Sequence, residues 1–237
     1  LIFCGRLHSD PAATVEEYAI RLVNLLQLYG ASPAQIEGGI LGSVVPMLSG
    51  RVLAALQLLC KARILTVGPG LKSGIKLRLD NPAQLGAELL CGAVAALEEG
   101  PGPLAVISAD TAISIMAVNG KQELVGGVIL PGPQLSLSAL VQKTAQLPQI
   151  DLSAPASSSI LGKNTSACLQ NGFVLGTAGL LDGLAERFQA ELGPDIRFYA
   201  TGNLPRTIRE ACRTPIHYRE TLITDGLHRI WLRNRKG

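Results

Sequence analysis

Glu88 stands in Gly86-Ala87-Glu88, at the opening of a helical pattern and six residues after the Asp80-Asn-Pro82 turn. A carboxylate at a positive helix end, beside a turn able to hold a ligand, can act as general base toward a substrate hydroxyl. Further along, Gly126-Gly127 and Pro131-Gly132 bracket a strand end, and Gly162-Lys-Asn-Thr165 precedes a long helical pattern. Thr201-Gly202-Asn203-Leu204 repeats that strand-turn-helix arrangement, whose free amides suit an anion. Read alone, Glu88 is an exposed helix glutamate and each junction an ordinary tight turn. His8, His217 and His228 have no metal-ligand spacing, and the five cysteines contain no C-x-x-C pair. The odd, scattered cysteines are expected to be reduced, mostly buried thiols in a cytosolic protein.

The elements that must position these residues follow from periodicity. Thr14 and Glu17 form a capping box for a helix with Tyr18, Leu22, Leu25, Leu26 and Tyr29 on one face, ended by Gly30. Buried strands are expected within 36–45 and at 64–67, with a helix over 48–60 between them and another carrying Leu85, Leu89, Ala93 and Leu97. Gly100-Pro-Gly-Pro103 reads as a linker. Beyond it come strands at 104–107, 113–118 and 123–130, the last two joined through Asn119-Gly120. Helices are expected over 137–146, 165–192 and 205–212, a strand at 196–200, and a basic closing helix capped by Asp225. In the long helix Gly172, Gly176, Gly179 and Gly183 fall on one stripe, where another backbone is expected to pass close, either the same chain's sheet or a second subunit. Arg229, Arg233, Arg235 and Lys236 complement the closing helix dipole.

The 237 residues suffice for one large domain or two modest ones, and 47% hydrophobic with 16% charged residues excludes a disordered tail. A formal charge of +3 gives no argument for a nucleic-acid or membrane partner. The charge-free stretch 164–181 lacks the ~20 apolar residues of a membrane span. Leu1 is not Met and 1–5 lacks signal-peptide character, so the true start is expected upstream. Asn164-Thr165-Ser166 matches a glycosylation acceptor, but is read as a turn.

In order, Val67-Gly-Pro-Gly-Leu-Lys-Ser-Gly74, Asp80-Asn-Pro82, Gly86-Ala87, Gly126-Gly127 with Pro131-Gly132, Gly162-Lys-Asn-Thr165, Ala178-Gly-Leu-Leu-Asp-Gly183 and Ala200-Thr-Gly202 closely resemble the type III pantothenate kinases over nearly the whole chain. The resemblance implies an α/β fold of two ribonuclease-H-like halves of the actin, sugar-kinase and Hsp70 superfamily. The halves would be 1–102, with the closing segment 224–237 packed back on it, and 103–223. It also implies a cytoplasmic homodimer that phosphorylates pantothenate to 4'-phosphopantothenate, the first step of coenzyme A biosynthesis, with ATP, Mg and a monovalent cation such as potassium.

Carried over residue by residue, the resemblance makes Glu88 the catalytic position, where the family has Asp. It puts Gly86, Leu89, Leu79 and Thr165 on the substrate side, and Asp110, Thr111, Ala112, Gly127, Gly202 and Asn203 at the nucleotide. Several of these depart from the family pattern. Leu79 replaces the Tyr before Asp-Asn-Pro, and Leu89 replaces an Arg. Ser108 stands where a carboxylate binds the cation, Asp110 stands where Gly lets the backbone approach the nucleotide, and Asn203 replaces a second Gly. The family's first phosphate loop, Asp-x-Gly-Asn-Thr, would lie upstream of Leu1. A weak or decayed kinase is therefore expected, the alternative being a non-catalytic dimeric relative that binds a metabolite or protein partner. Restoring the family residues at 88, 89, 108 and 110 is expected to leave the core undisturbed.

Overall fold

The structure is a computed structural model that describes residues 1–154 and 159–235; Lys236, counted above in the basic end, lies outside the described residues. A small first layer holds α1 (Val15–Leu28), β1 (Gly39–Leu41), α2 (Pro46–Leu59) and β2 (Ile64–Thr66). Strands β1 and β2 pair in parallel. Helix α1 opens on the expected box, with Glu17 N–H donating to Thr14 Oγ1 and Thr14 N–H to the Glu17 carboxylate. Its buried side meets α2 through Ala13, Tyr18, Ala19 and Ala55.

The remaining chain builds a six-stranded sheet. In chain order come β3 (Lys76–Leu77), α3 (Ala87–Glu98), β4 (Leu104–Ala109), β5 (Ala112–Val118), β6 (Glu123–Pro131) and α4 (Pro133–Gln142). They are followed by α5 (Thr165–Leu192), β7 (Arg197–Gly202), α6 (Arg206–Ala211), β8 (Ile216–Tyr218) and α7 (Leu222–Asn234). The spatial order is β3-β6-β5-β4-β7-β8. Strands β4, β5 and β6 form an antiparallel meander, and β7 and β8 run parallel to β4. That meander followed by parallel strands is the ribonuclease-H-like sheet. Strand β4 is buried at every residue, as expected of a central strand covered on both faces. Leu104 and Val106 point to a core with α3 and α7, while Ala105, Ile107 and Ala109 point to a core with α5 and α6.

Two glycines fix how closely α3 and α7 approach. A Cβ on Gly226 of α7 would lie 1.9 Å from the Cys91 carbonyl oxygen of α3, and one on Gly92 of α3 would lie 2.9 Å from Val106 Cγ1 on β4. The closing helix is thus pressed on α3, and α3 on the sheet. Asp182 of α5 is buried and accepts the Arg213 and Thr214 backbone N–H groups, tying α5 to the loop after α6. Burial pushes its carboxyl up, but these hydrogen bonds outweigh it and hold the group below its ordinary value.

Several expectations are corrected. A Cβ on Gly172, Gly176 or Gly179 meets nothing within 4 Å, so among the described residues no backbone passes in close contact with the glycine stripe, and Gly172 and Gly176 instead face a cavity with Pro131, Pro133 and Ser136. Helix α4 starts at Pro133, which suits a first helical position because it needs no N–H partner there, and ends at Gln142 rather than 146. Asp225 is not the cap of α7: Thr221 is, and Asp225 accepts its hydroxyl hydrogen bond from within the first turn. Among the cysteines only Cys91 is fully buried, and Cys4 and Cys168 are exposed. No helix among the described residues is long and apolar enough to cross a membrane.

The glycines make opposite predictions. Gly226→Ala forces a side chain into the Cys91 backbone and is expected to destabilise by about 1–3 kcal/mol. Gly179→Ala gains helix propensity in open space and is expected to stabilise by about 0.5–1 kcal/mol. Urea unfolding of the two variants measures both signs.

Candidate active site

Helix α3 is entered through a short 3-10 turn, Pro82–Gln84, and Gly86 at its cap. Glu88 sits in the first turn, where its charge complements the helix dipole. Because Gly92 rests on Val106, one helical turn back carries Glu88 toward the Ser108–Asp110 end of β4. Its half-buried position, and then the negative charge of Asp110, push the Glu88 carboxyl above its ordinary value. Burial, and next the Glu88 charge, push the Cys91 thiol up to about 12, so it stays protonated and inert.

The end of β4 is tied to both neighbouring loops. Asp110 N–H donates to the Ala112 carbonyl at 2.9 Å, and Gly132 N–H to the Thr111 carbonyl at 2.8 Å. Gly202 has φ +83°, and a Cβ there would lie 2.4 Å from the Ala109 carbonyl oxygen, so only glycine fits. The next residue, Asn203, donates its backbone N–H to Ala109 and its side-chain amide to the Asp110 carboxylate. On the face toward α3, the register aligns Ser114, Ser108 and Thr201 across β5, β4 and β7 as a row of buried hydroxyl residues.

Two cavities flank this point, rather than one cleft shared by Glu88, Thr111 and Gly202. The first, of ≈ 390 Å³, lies between the loop after β2 and the start of α3, with Leu71, Ile75, Leu85, Ala87 and Leu90 among its walls. The second, of ≈ 450 Å³, opens over the ends of β4 and β7 and is lined by Asp110, Thr111, Gln134, Ser138, Asn203 and neighbouring apolar groups. Among the described residues, Asp110 is the sole charged side chain in its wall.

Of the residues expected at the nucleotide, Asp110, Thr111 and Asn203 converge on one cavity, with Gly202 and Ala112 at the strand ends beside it. Glu88 and Gly86 lie on the α3 side. Leu89 does not face a ligand; it is buried in the core beneath α3, and Leu79 packs against the same core. Ser108 is also buried. Restoring Arg at 89 or Asp at 108 would therefore bury a charge, so the expectation of an undisturbed core fails at those two positions. Gly127 is required by the sheet, since a Cβ there would meet the Ile115 carbonyl oxygen at 2.0 Å. Thr165 lies apart, exposed in the first turn of α5, which packs on the opposite face of the sheet from α3. The amides there are not all free, because Asn164 Oδ1 accepts the Ala167 N–H at 2.9 Å. Sequence reasoning missed the Asp110–Asn203 contact, which joins residues 93 positions apart and leaves no local pattern.

The chain thus has a mixed α/β fold with a ribonuclease-H-like sheet, a cavity at the ends of β4 and β7, and a carboxylate on the helix packed against that sheet. The profile of the type III pantothenate kinases matches residues 2–187. This chain belongs to that family. It is 34% identical over 236 residues to the type III pantothenate kinase of Exiguobacterium sp., covering 100% of this chain and 92% of the relative. It is 36% identical over 235 residues to that of Koribacter versatilis, covering 99% and 85%. Among solved structures, the activator of the 2-hydroxyisocaproyl-CoA dehydratase from Clostridium difficile with bound ADPNP overlays with a TM-score of 0.42 and 13% identity, covering 78% of this chain and 79% of the other.

Glu88 yields a pH prediction. Its charged form is disfavoured by folding, so Glu88→Gln leaves stability unchanged at about pH 4, where the carboxyl is mostly neutral in both states. As pH rises through the ordinary and then the raised value, the variant is expected to become the more stable protein and to remain so at pH 7. Melting temperatures across that range test this; a variant less stable than wild type at pH 7 would contradict the desolvated position.

Proposed function

We propose that this chain binds pantothenate and ATP and transfers the γ-phosphoryl group to the pantothenate hydroxyl at a small fraction of the rate usual in the family. Pantothenate would lie against the start of α3, with Gly86 toward it and Glu88 taking the hydroxyl proton. The nucleotide would lie over Asp110, Thr111, Ala112, Gly202 and Asn203, beside Gly127. The location would be the cytoplasm and the assembly a homodimer, the halves dividing at 1–102 with 224–237, and 103–223. The packing of α7 on α3 supports that division.

The observation that carries the reading of low activity is the Asp110 carboxylate, hydrogen-bonded to Asn203 at the mouth of the second cavity. A fixed negative charge at a nucleotide site opposes triphosphate, and phosphoryl transfer depends mostly on positioning and charge stabilisation. Mg would enter with the nucleotide. At the position where the family's cation-binding carboxylate stands, Ser108 is a buried hydroxyl residue, which brings no charge to a monovalent cation. Glu88, raised above its ordinary value, is a stronger base once ionised, but its longer arm displaces the carboxylate from where Asp would hold it. An error of ~1 Å can cost about a hundredfold.

A coupled ADP-release assay on the full-length protein tests the reading. Wild type is expected to turn over weakly, and Glu88→Ala not at all. Asp110→Gly combined with Asn203→Gly is expected to bind ATP about tenfold more tightly, equivalent to ~1.4 kcal/mol, and to turn over faster. Robust wild-type turnover that Glu88→Ala abolishes would overturn the reading of low activity and leave Glu88 as a working base.

The homodimer is supported by the open glycine stripe of α5, beside which Leu180 is 42% exposed. A second copy seated there would meet little steric resistance. Sedimentation at micromolar concentration is expected to give a dimer, and Gly176→Glu a monomer; a wild-type monomer would remove this part of the proposal.

A further inference from the structure

The loop from Val67 to Ile75 forms one wall of the first cavity and belongs to no strand or helix. Its far side is held by the last turn of α7. Lys72 N–H donates to Asn234 Oδ1 at 3.0 Å, and Asn234 Nδ2 donates back to the Lys72 carbonyl at 3.0 Å, so one side-chain amide satisfies both backbone groups of a single loop residue. The same Nδ2 donates to the Ile230 carbonyl at 2.7 Å, which fixes the amide on its helix. Arg233 donates to the Ser73 carbonyl and pairs with Glu98 of α3 at 3.1 Å. Gly74 has φ +84°, and the Arg233 guanidinium occupies the space a Cβ there would need, so the loop turns directly under that side chain.

Helix α7 is itself pressed on α3 at Gly226, and Ile230 of its third turn is fully buried. The opposite wall of the cavity is the start of α3, through Ala87 and Leu90. One rigid connection therefore runs from the loop wall through α7 to the helix that forms the other wall and carries Glu88. We propose that Asn234 and Arg233 are positioning residues, which hold the two walls of the first cavity at a fixed separation and so set its fit to a ligand. Neither touches the ligand. Their action is on the shape of a largely apolar cavity, and thus on affinity for a compact ligand with an apolar body. The inference rests on the proposed function only in taking pantothenate as the probe.

Asn234→Leu keeps the side-chain volume and removes the Lys72 hydrogen bonds; Asn234→Asp keeps an acceptor for Lys72 N–H and loses the donor. Arg229→Ala is the control, because Arg229 pairs with Glu98 at 3.8 Å from the same helix and, among the described residues, makes no hydrogen bond to the loop's backbone. Amide hydrogen exchange on the full chain reads the clamp directly. Exchange across 68–74 is expected to accelerate more than tenfold in Asn234→Leu and less in Asn234→Asp. It is expected to stay at the wild-type rate in Arg229→Ala, with α3 amides unchanged in all three. Calorimetric titration is expected to show pantothenate affinity falling about tenfold in Asn234→Leu and recovering partly in Asn234→Asp. Where turnover is measurable, KM is expected to rise with kcat unchanged. Unchanged loop exchange would overturn the clamp, and a loosened loop with unchanged affinity would overturn its role in ligand fit. Should the wild-type chain bind no pantothenate, the proposed function fails on its own. The exchange rates, which need no ligand, still decide the clamp.

Discussion

The close approach of three layers, α7 on α3 and α3 on β4, is the constraint on which the rest of this structure depends. It exists because Gly226 and Gly92 present no side chain where the Cys91 carbonyl and Val106 come nearest. With any other residue at 226, α7 would stand away from α3. The last turn of α7 would then no longer reach Lys72 and Ser73, and the cavity wall they form would lose its support. The same contact sets the depth of α3 over the sheet and thereby brings the Glu88 carboxylate under the influence of Asp110. Backbone proximity, rather than any single polar bond, organises the site.

Electrostatics then act on that geometry. A carboxylate in the first turn of α3 is favoured by the helix dipole, yet partial burial and a second carboxylate facing it both disfavour its charge. The outcome is a group held ready to accept a proton, next to a cavity whose one charged wall residue repels anions. The Asn203 amide holds the Asp110 carboxylate in place across the turn that carries Gly202.

The local pattern of the chain carried much of this. The capping box of α1, the full span of α5 and the meander around Asn119-Gly120 are legible because helix and strand periodicity are properties of neighbouring residues. The ordered glycine motifs also carried the family, and with it the ribonuclease-H-like sheet. Where a boundary depended on a single residue, local pattern was ambiguous: Asp225 has the chemistry of a cap, but its N–H already donates to the Thr221 carbonyl, so helix α7 begins earlier.

Residue types alone determined which groups here are able to do chemistry: the Glu88 carboxylate opening a helix, and glycine turns suited to phosphates. Tertiary structure decided which of them meet. It buried Leu89 and Ser108, left the glycine stripe out of close backbone contact and joined Asp110 to Asn203. It also made the final turn of the chain the support for a loop 162 residues earlier. None of these has a periodicity or a spacing, because each is a contact between segments that only the packing of α3 and α7 on the sheet brings within reach.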